Sequence, residues 1–145
     1  MAQRIGERYR AQLPLLPDAH GAVERLGRRW PLGLASSSNR ELIDLVLDLA
    51  GLHPRFRATV SSEEVARGKP APDVYLEAAR RLGVRASDCA AVEDSGNGLL
   101  AAAFAGMRVL AIPRPDYPPA ADALARADVL LGSLTEVGPE LVGDL

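Results

Sequence analysis

Cys89-Ala-Ala-Val-Glu-Asp-Ser-Gly-Asn-Gly98 is the stretch on which the fold turns. Its small and apolar residues, too few for a helix and bounded by polar residues and glycine, predict a buried strand. Glu93 and Asp94 stand side by side where that strand ends. In an open α/β sheet the carboxyl ends of the strands form the ligand crevice, so the position suits chemistry. Ser95, Gly96 and Gly98 let the backbone turn tightly into a helix with the apolar run Leu99 to Ala105. A hard cation such as Mg²⁺ takes one or two carboxylates, keeps several waters and binds substrate phosphate, and an acidic strand end suits it. The plain alternative is a solvated Glu-Asp pair in a loop.

Working outward, Pro31 to Ala35 is a second compact apolar run, predicted as a strand that stops at Ser36-Ser37-Ser38-Asn39. A helix follows from about Arg40 to Ala50, its stripe formed by Leu42, Ile43, Val46, Leu47 and Leu49, and Gly51 ends it. Upstream, Asp18 is predicted to cap a helix running through Arg28, and residues 2 to 12 are read as a short amphipathic helix with a thin apolar face. Downstream, Phe56 to Ser61 is a weaker strand, Asp73 to Leu82 a helix closed by Gly83, and Met107 to Ile112 another strand. A proline-rich loop, Pro113 to Pro119, precedes a short helix over 120–127 and a last strand over 128–131. Strands alternating with helices argue for an α/β, Rossmann-like three-layer sandwich with a mostly parallel sheet.

The bulk properties exclude several function classes. With 145 residues, 48% of them apolar and 25% charged, the chain supports one globular domain with a substantial core. A net charge of -2 carries no polyanion-binding signature, so nucleic acid is not expected as a partner. No apolar run approaches membrane-spanning length and the polar start is not a secretory signal, so a cytoplasmic location without a membrane partner is expected. The single cysteine, Cys89, is read as a small buried hydrophobe. His20 and His53 are read as structural or exposed.

Three strand ends carry complementary polar groups. Ser36 and Ser37 supply hydroxyls and amides just before a helix, a natural place for an anion and equally a serine-rich cap. Lys69, in Arg67-Gly-Lys-Pro-Ala-Pro-Asp73, is the only lysine, every other basic side chain being arginine. A compact ammonium acts as a point charge toward phosphate, where a guanidinium acts as a planar fork. Leu-Ala-Ser-Ser-Ser-Asn (34–39), Gly-Lys-Pro-Ala-Pro-Asp (68–73) and Val-Glu-Asp-Ser (92–95), in that order, resemble the second, third and fourth motifs of the haloacid dehalogenase superfamily. The match is nearest to its sugar-phosphatase and β-phosphoglucomutase-like branch. The resemblance implies a Mg²⁺-dependent phosphatase or phosphomutase-like hydrolase acting on a small phosphorylated metabolite such as a sugar phosphate. It implies that Ser36 hydrogen-bonds the transferring phosphoryl group, with Ser37 beside it, and that Lys69 neutralises that group and steadies the nucleophile. Asp94 then ligates Mg²⁺, with Glu93 assisting directly or through water.

The family's first motif, an apolar strand ending in Asp-x-Asp-Gly, has no counterpart in this sequence. Its first aspartate is the nucleophile and its strand lies at the centre of the sheet, between the strands at 31–35 and 89–93. Residues 1–13 are read as a remnant of the cap domain's last helix or a linker, and residues 14–145 as the α/β core. The chain is therefore expected to be truncated relative to the family, to lack most of the specificity-setting cap, and to have little turnover alone. Without the central strand, its neighbours must pair with each other, face a gap, or recruit a strand from another chain in a homo-oligomer or strand-swapped dimer. The alternative function is a non-catalytic Mg²⁺ and phosphate-binding module that pairs with a chain supplying the nucleophile strand. A dinucleotide loop at Gly96-Asn-Gly98 is the weakest reading, since the third glycine of that fingerprint is absent.

Overall fold

The computed structural model describes residues 18–142. The helix predicted over residues 2–12 lies outside them, as does the reading of residues 1–13 as a cap remnant. In chain order the elements are α1 (Ala19–Gly27), β1 (Gly33–Ser36), α2 (Arg40–Ala50), β2 (Ala58–Ser61), α3 (Asp73–Leu82), β3 (Ala90–Glu93), α4 (Gly96–Phe104), β4 (Arg108–Ala111), α5 (Ala121–Leu124), β5 (Val129–Leu130) and α6 (Pro139–Val142). The alternation expected from the sequence is present, and every ladder among the described residues is parallel.

Local chemistry sets the boundaries. Asn39 caps α2, its Oδ1 accepting the Leu42 amide at 2.8 Å. Gly51 and Gly83 end α2 and α3 in the left-handed region, φ 69° and 74°. Helix α4 starts at Gly96, ahead of the Leu99 to Ala105 run, because Ser95 Oγ accepts the Gly98 amide at 3.1 Å and caps it. Asp18 precedes α1 as expected but does not cap it. Its backbone is left-handed, φ 65°, and its carboxylate pairs with Arg25 at 2.9 Å. Cys89 falls just before β3, half-buried, with burial pushing its thiol pKa up.

The expected single sheet is instead two: β1 pairs with β2, and β3 pairs with β4, which pairs with β5. Strands β1 and β3 do not pair with each other. A cavity of about 1020 Å³ lies between them, lined by Leu34, Ala35 and Ser36 of β1 and by Ala90 to Glu93 of β3. Among the described residues β1 and β3 face a gap and do not pair with each other. Packing explains why it stays open. One apolar cluster gathers Val60, Val74, Ala78, Ala91, Leu99 and Val109, so the packed helices α3 and α4 hold both sheets from one face. On the other face α1 straddles two separate clusters, Val23 joining Ile43 and Leu47 while Leu26 joins Leu110 and Val137. The flanking helices fix the spacing of β1 and β3, and neither strand can approach the other without breaking those contacts.

A clamp secures the β1–β2 half. Ser61 and Glu64 form a capping box after β2. Glu64 pairs with Arg40 of α2 and with Arg81 of α3, the latter at 2.6 Å, and both arginines also bond the Thr59 carbonyl at 2.8 Å. Burial raises the Glu64 pKa, but hydrogen bonds from Arg40 and Arg81 outweigh it and hold the carboxyl below 4.5. A carboxyl so depressed contributes stability that is present above its unfolded pKa and lost as pH falls through the folded one. Glu64→Gln is therefore expected to lower stability by about 1 kcal/mol near neutrality, with the difference from the parent chain shrinking in acid. Urea titrations at pH 7 and at about pH 3 check this. Equal destabilisation at both would contradict it.

Candidate active site

Two strand ends and a loop line one cavity, Lys69 standing eight residues beyond the end of β2 and not at a strand end as the sequence suggested. Ser36 and Ser37 come from the end of β1, Glu93 and Asp94 from the end of β3, and Lys69 from the loop before α3, and all five line the same cavity. Ser36 Oγ accepts the Ser38 amide at 3.1 Å, folding the serine turn back on itself. The turn is pinned from β2: Ser61 Oγ donates to the Ser38 carbonyl at 2.7 Å and Ser62 Oγ to the Ser37 carbonyl at 2.9 Å. The start of α2 is less open to an anion than the sequence suggests. Glu63 accepts the Arg40 amide at 2.7 Å and Asn39 accepts that of Leu42.

Lys69 and Glu93 form a pair with each side chain only 9% exposed. Lys69 Nζ donates to Glu93 Oε1 at 2.6 Å and to the Ala35 carbonyl at 3.0 Å, so one ammonium spans from β3 to β1. Tyr75 of α3, 9% exposed, donates its hydroxyl to the same Oε1, and its ring centroid lies 5.1 Å from the ammonium. Burial first, then the Glu93 charge, push the Tyr75 pKa well above 10, so the hydroxyl remains a donor. Gly98 provides the room. A Cβ there would overlap the Glu93 carboxylate.

Asp94 is differently placed. Its side chain is 30% exposed and pairs with Arg114 of the proline-rich loop at 2.8 Å. Mg²⁺ needs one or two carboxylates beside water and phosphate, and a half-exposed carboxylate at a cavity mouth fits that. Glu93 fits less well, because its carboxylate already serves Lys69 and Tyr75. No group of three or more His, Cys, Asp and Glu side chains among the described residues is arranged around a common metal position. His20 bonds the Ala50 carbonyl and His53 bonds Asp48, each at 2.7 Å, and neither lines the cavity.

Sequence reasoning missed Tyr75, Arg114 and the Ser61-Ser62 pins. Two had a local signal. Tyr75 lies three and four residues before Ala78 and Ala79 on the buried stripe of α3, and Ser61-Ser-Glu-Glu64 is a capping-box pattern. Arg114 had none, since its pairing with Asp94 spans 20 residues.

Comparison with known proteins shows the family of the chain. A family described as hydrolase, haloacid dehalogenase-like hydrolase, matches residues 2–106, and the chain belongs to that family. Hexitol phosphatase B of Escherichia coli K12 is 40% identical over 125 residues, covering 86% of this chain and 56% of that protein. A probable pseudouridine-5'-phosphatase of Drosophila melanogaster is 37% identical over 136 residues, covering 89% of this chain and 58% of that protein. Among solved structures, CbbY from Rhodobacter sphaeroides in complex with phosphate superposes with a TM-score of 0.79 at 30% identity, covering 92% of this chain and 62% of that one. The chain thus spans a little over half the length of these two curated relatives. No helix among the described residues is long and apolar enough to cross a membrane.

Gly98→Ala is expected to destabilise the fold by about 1–3 kcal/mol, because the new methyl must displace a carboxylate that Lys69 and Tyr75 hold in place. Chemical denaturation measures it. Unchanged stability would mean that Glu93 moves away freely.

Proposed function

We propose that this chain carries the phosphate-binding and metal-binding part of a phosphatase site for small phosphorylated metabolites. The observation that carries the reading is the convergence of Ser36, Lys69 and Asp94, from three separate stretches of sequence, on one cavity. Kinship with phosphatases supports it, among them relatives named for hexitol phosphates and pseudouridine-5'-phosphate. Phosphoryl transfer spreads negative charge over three oxygens, and catalysis is mostly positioning plus electrostatic stabilisation.

In this reading the Ser36 hydroxyl and the Ser37 turn donate to the phosphoryl oxygens. Lys69 has three donors, two of them held by Glu93 and Ala35, which leaves one for an anion. Asp94 would hold Mg²⁺ on leaving Arg114, with Glu93 behind it keeping Lys69 in place. Bound there, Mg²⁺ would neutralise charge on the phosphoryl oxygens.

A carboxylate nucleophile is the part the sequence does not supply, since it contains no Asp-x-Asp pair. The cavity between β1 and β3 supports a strand carrying that motif as its source, seated between the two sheets. The same cavity favours a second reading, in which this chain is a non-catalytic Mg²⁺ and phosphate-binding module completed by another polypeptide.

Hydrolysis of p-nitrophenyl phosphate, with and without Mg²⁺, tests both. Turnover is expected from a version carrying an Asp-x-Asp-Gly strand ahead of residue 1, and not from the 145-residue chain alone. Asp94→Asn and Lys69→Met in the extended version should each lower kcat by about 100-fold or more. Comparable turnover by the chain alone would show that another residue attacks. Phosphate binding without turnover in the extended version would favour the module.

A further inference from the structure

Lys69 is a long, flexible side chain asked to stand at one point of a cavity wall. Its pairing with Glu93 does not by itself define that point, because the carboxylate is also on a flexible stem. The third member of the cluster is rigid. Tyr75 sits on α3, its ring buried beside Val74, Ala78 and Ala79, with two torsions in place of the four of a lysine. Its hydroxyl and the Lys69 ammonium both donate to Glu93 Oε1, and its ring lies beside that ammonium. Ring and hydroxyl act on the same charge from two directions.

We infer that Tyr75 is a positioning residue for Lys69, its hydroxyl fixing the Glu93 carboxylate and its ring flanking the ammonium. The inference rests on the reading that Lys69 receives a phosphate, and it goes beyond that reading in assigning a helix residue that no motif of the site includes. A purely structural tyrosine would use its hydroxyl to satisfy a buried polar group, and its loss would lower stability without altering Lys69. A positioning tyrosine makes the state of the ammonium depend on the hydroxyl.

The single lysine makes this measurable, because the Nζ resonance in protein labelled with ¹⁵N-lysine belongs to Lys69 alone. In Tyr75→Phe the Nζ resonance should shift and its protons exchange faster with water. Calorimetric titration with inorganic phosphate and Mg²⁺ should show about fivefold weaker binding, the equivalent of one ordinary hydrogen bond. An unchanged Nζ resonance in folded Tyr75→Phe would overturn the inference, and so would unchanged phosphate affinity. If the parent chain itself binds no phosphate, the functional reading falls, while the Nζ resonance still decides the role of Tyr75. If Tyr75→Phe does not fold, 3-fluorotyrosine incorporation keeps the ring and makes the hydroxyl a stronger donor. A shift at Lys69 Nζ then supports the inference and an unmoved resonance overturns it.

Discussion

A single buried ammonium joins the two halves of this molecule. Lys69 Nζ takes the Ala35 carbonyl on β1 and the Glu93 carboxylate on β3, across a space where the two sheets have no ladder in common. Burying an ion pair costs several kcal/mol per charge in lost hydration, and the pair persists only where further hydrogen bonds complete it. Here Tyr75 and the Ala35 carbonyl do so, and no buried side-chain polar atom among the described residues lacks a partner. Removing one partner of such a pair leaves an uncompensated charge, which is why Glu93, Lys69 and Tyr75 must be treated as one unit.

The apolar framework explains how that unit is held. Parallel strands ordinarily have both faces covered and side chains buried throughout. Strand β2 follows the rule, with Val60 and Ser61 fully buried, whereas β1 is only half-buried beside the cavity. The two sheets stay together because small residues on α3 and α4, Ala78, Ala79, Ala101 and Ala102, allow the two helices to pack closely over both. Bulk is concentrated on the opposite face, where Trp30, Leu26 and Leu34 surround the cavity. A close-packed layer on one side and a loosely divided one on the other leave the open space between β1 and β3, where the polar strand-end residues form part of its lining.

Charge is distributed within the site according to exposure. The deep carboxylate, Glu93, is matched by the one lysine, and the shallow one, Asp94, by an arginine on a proline-rich loop that remains 44% exposed. An exposed guanidinium is readily exchanged for another cation, because the pair is screened and each partner is easily rehydrated. A buried ammonium is not. Neighbouring residues in sequence are thereby given different chemistry, a fixed counter-charge and an exchangeable one.

The order and kind of the elements were legible in the sequence, because hydrophobic period, caps and glycine stops act within a few residues: α3 runs from Asp73 to Leu82 and α2 from Arg40 to Ala50, as their patterns predict. The chemical types were legible too, serine and paired carboxylates at two strand ends and a lysine that the structure places in the loop before α3, since composition singles out Lys69 and spacing singles out Glu93-Asp94. Only the tertiary structure decided that Glu93 turns to Lys69 while Asp94 turns to Arg114, that Tyr75 joins the first pair, and that β1 and β3 stand apart. Those choices depend on partners 18 to 34 residues away. Their positions follow from helix packing over two sheets, which no local pattern encodes.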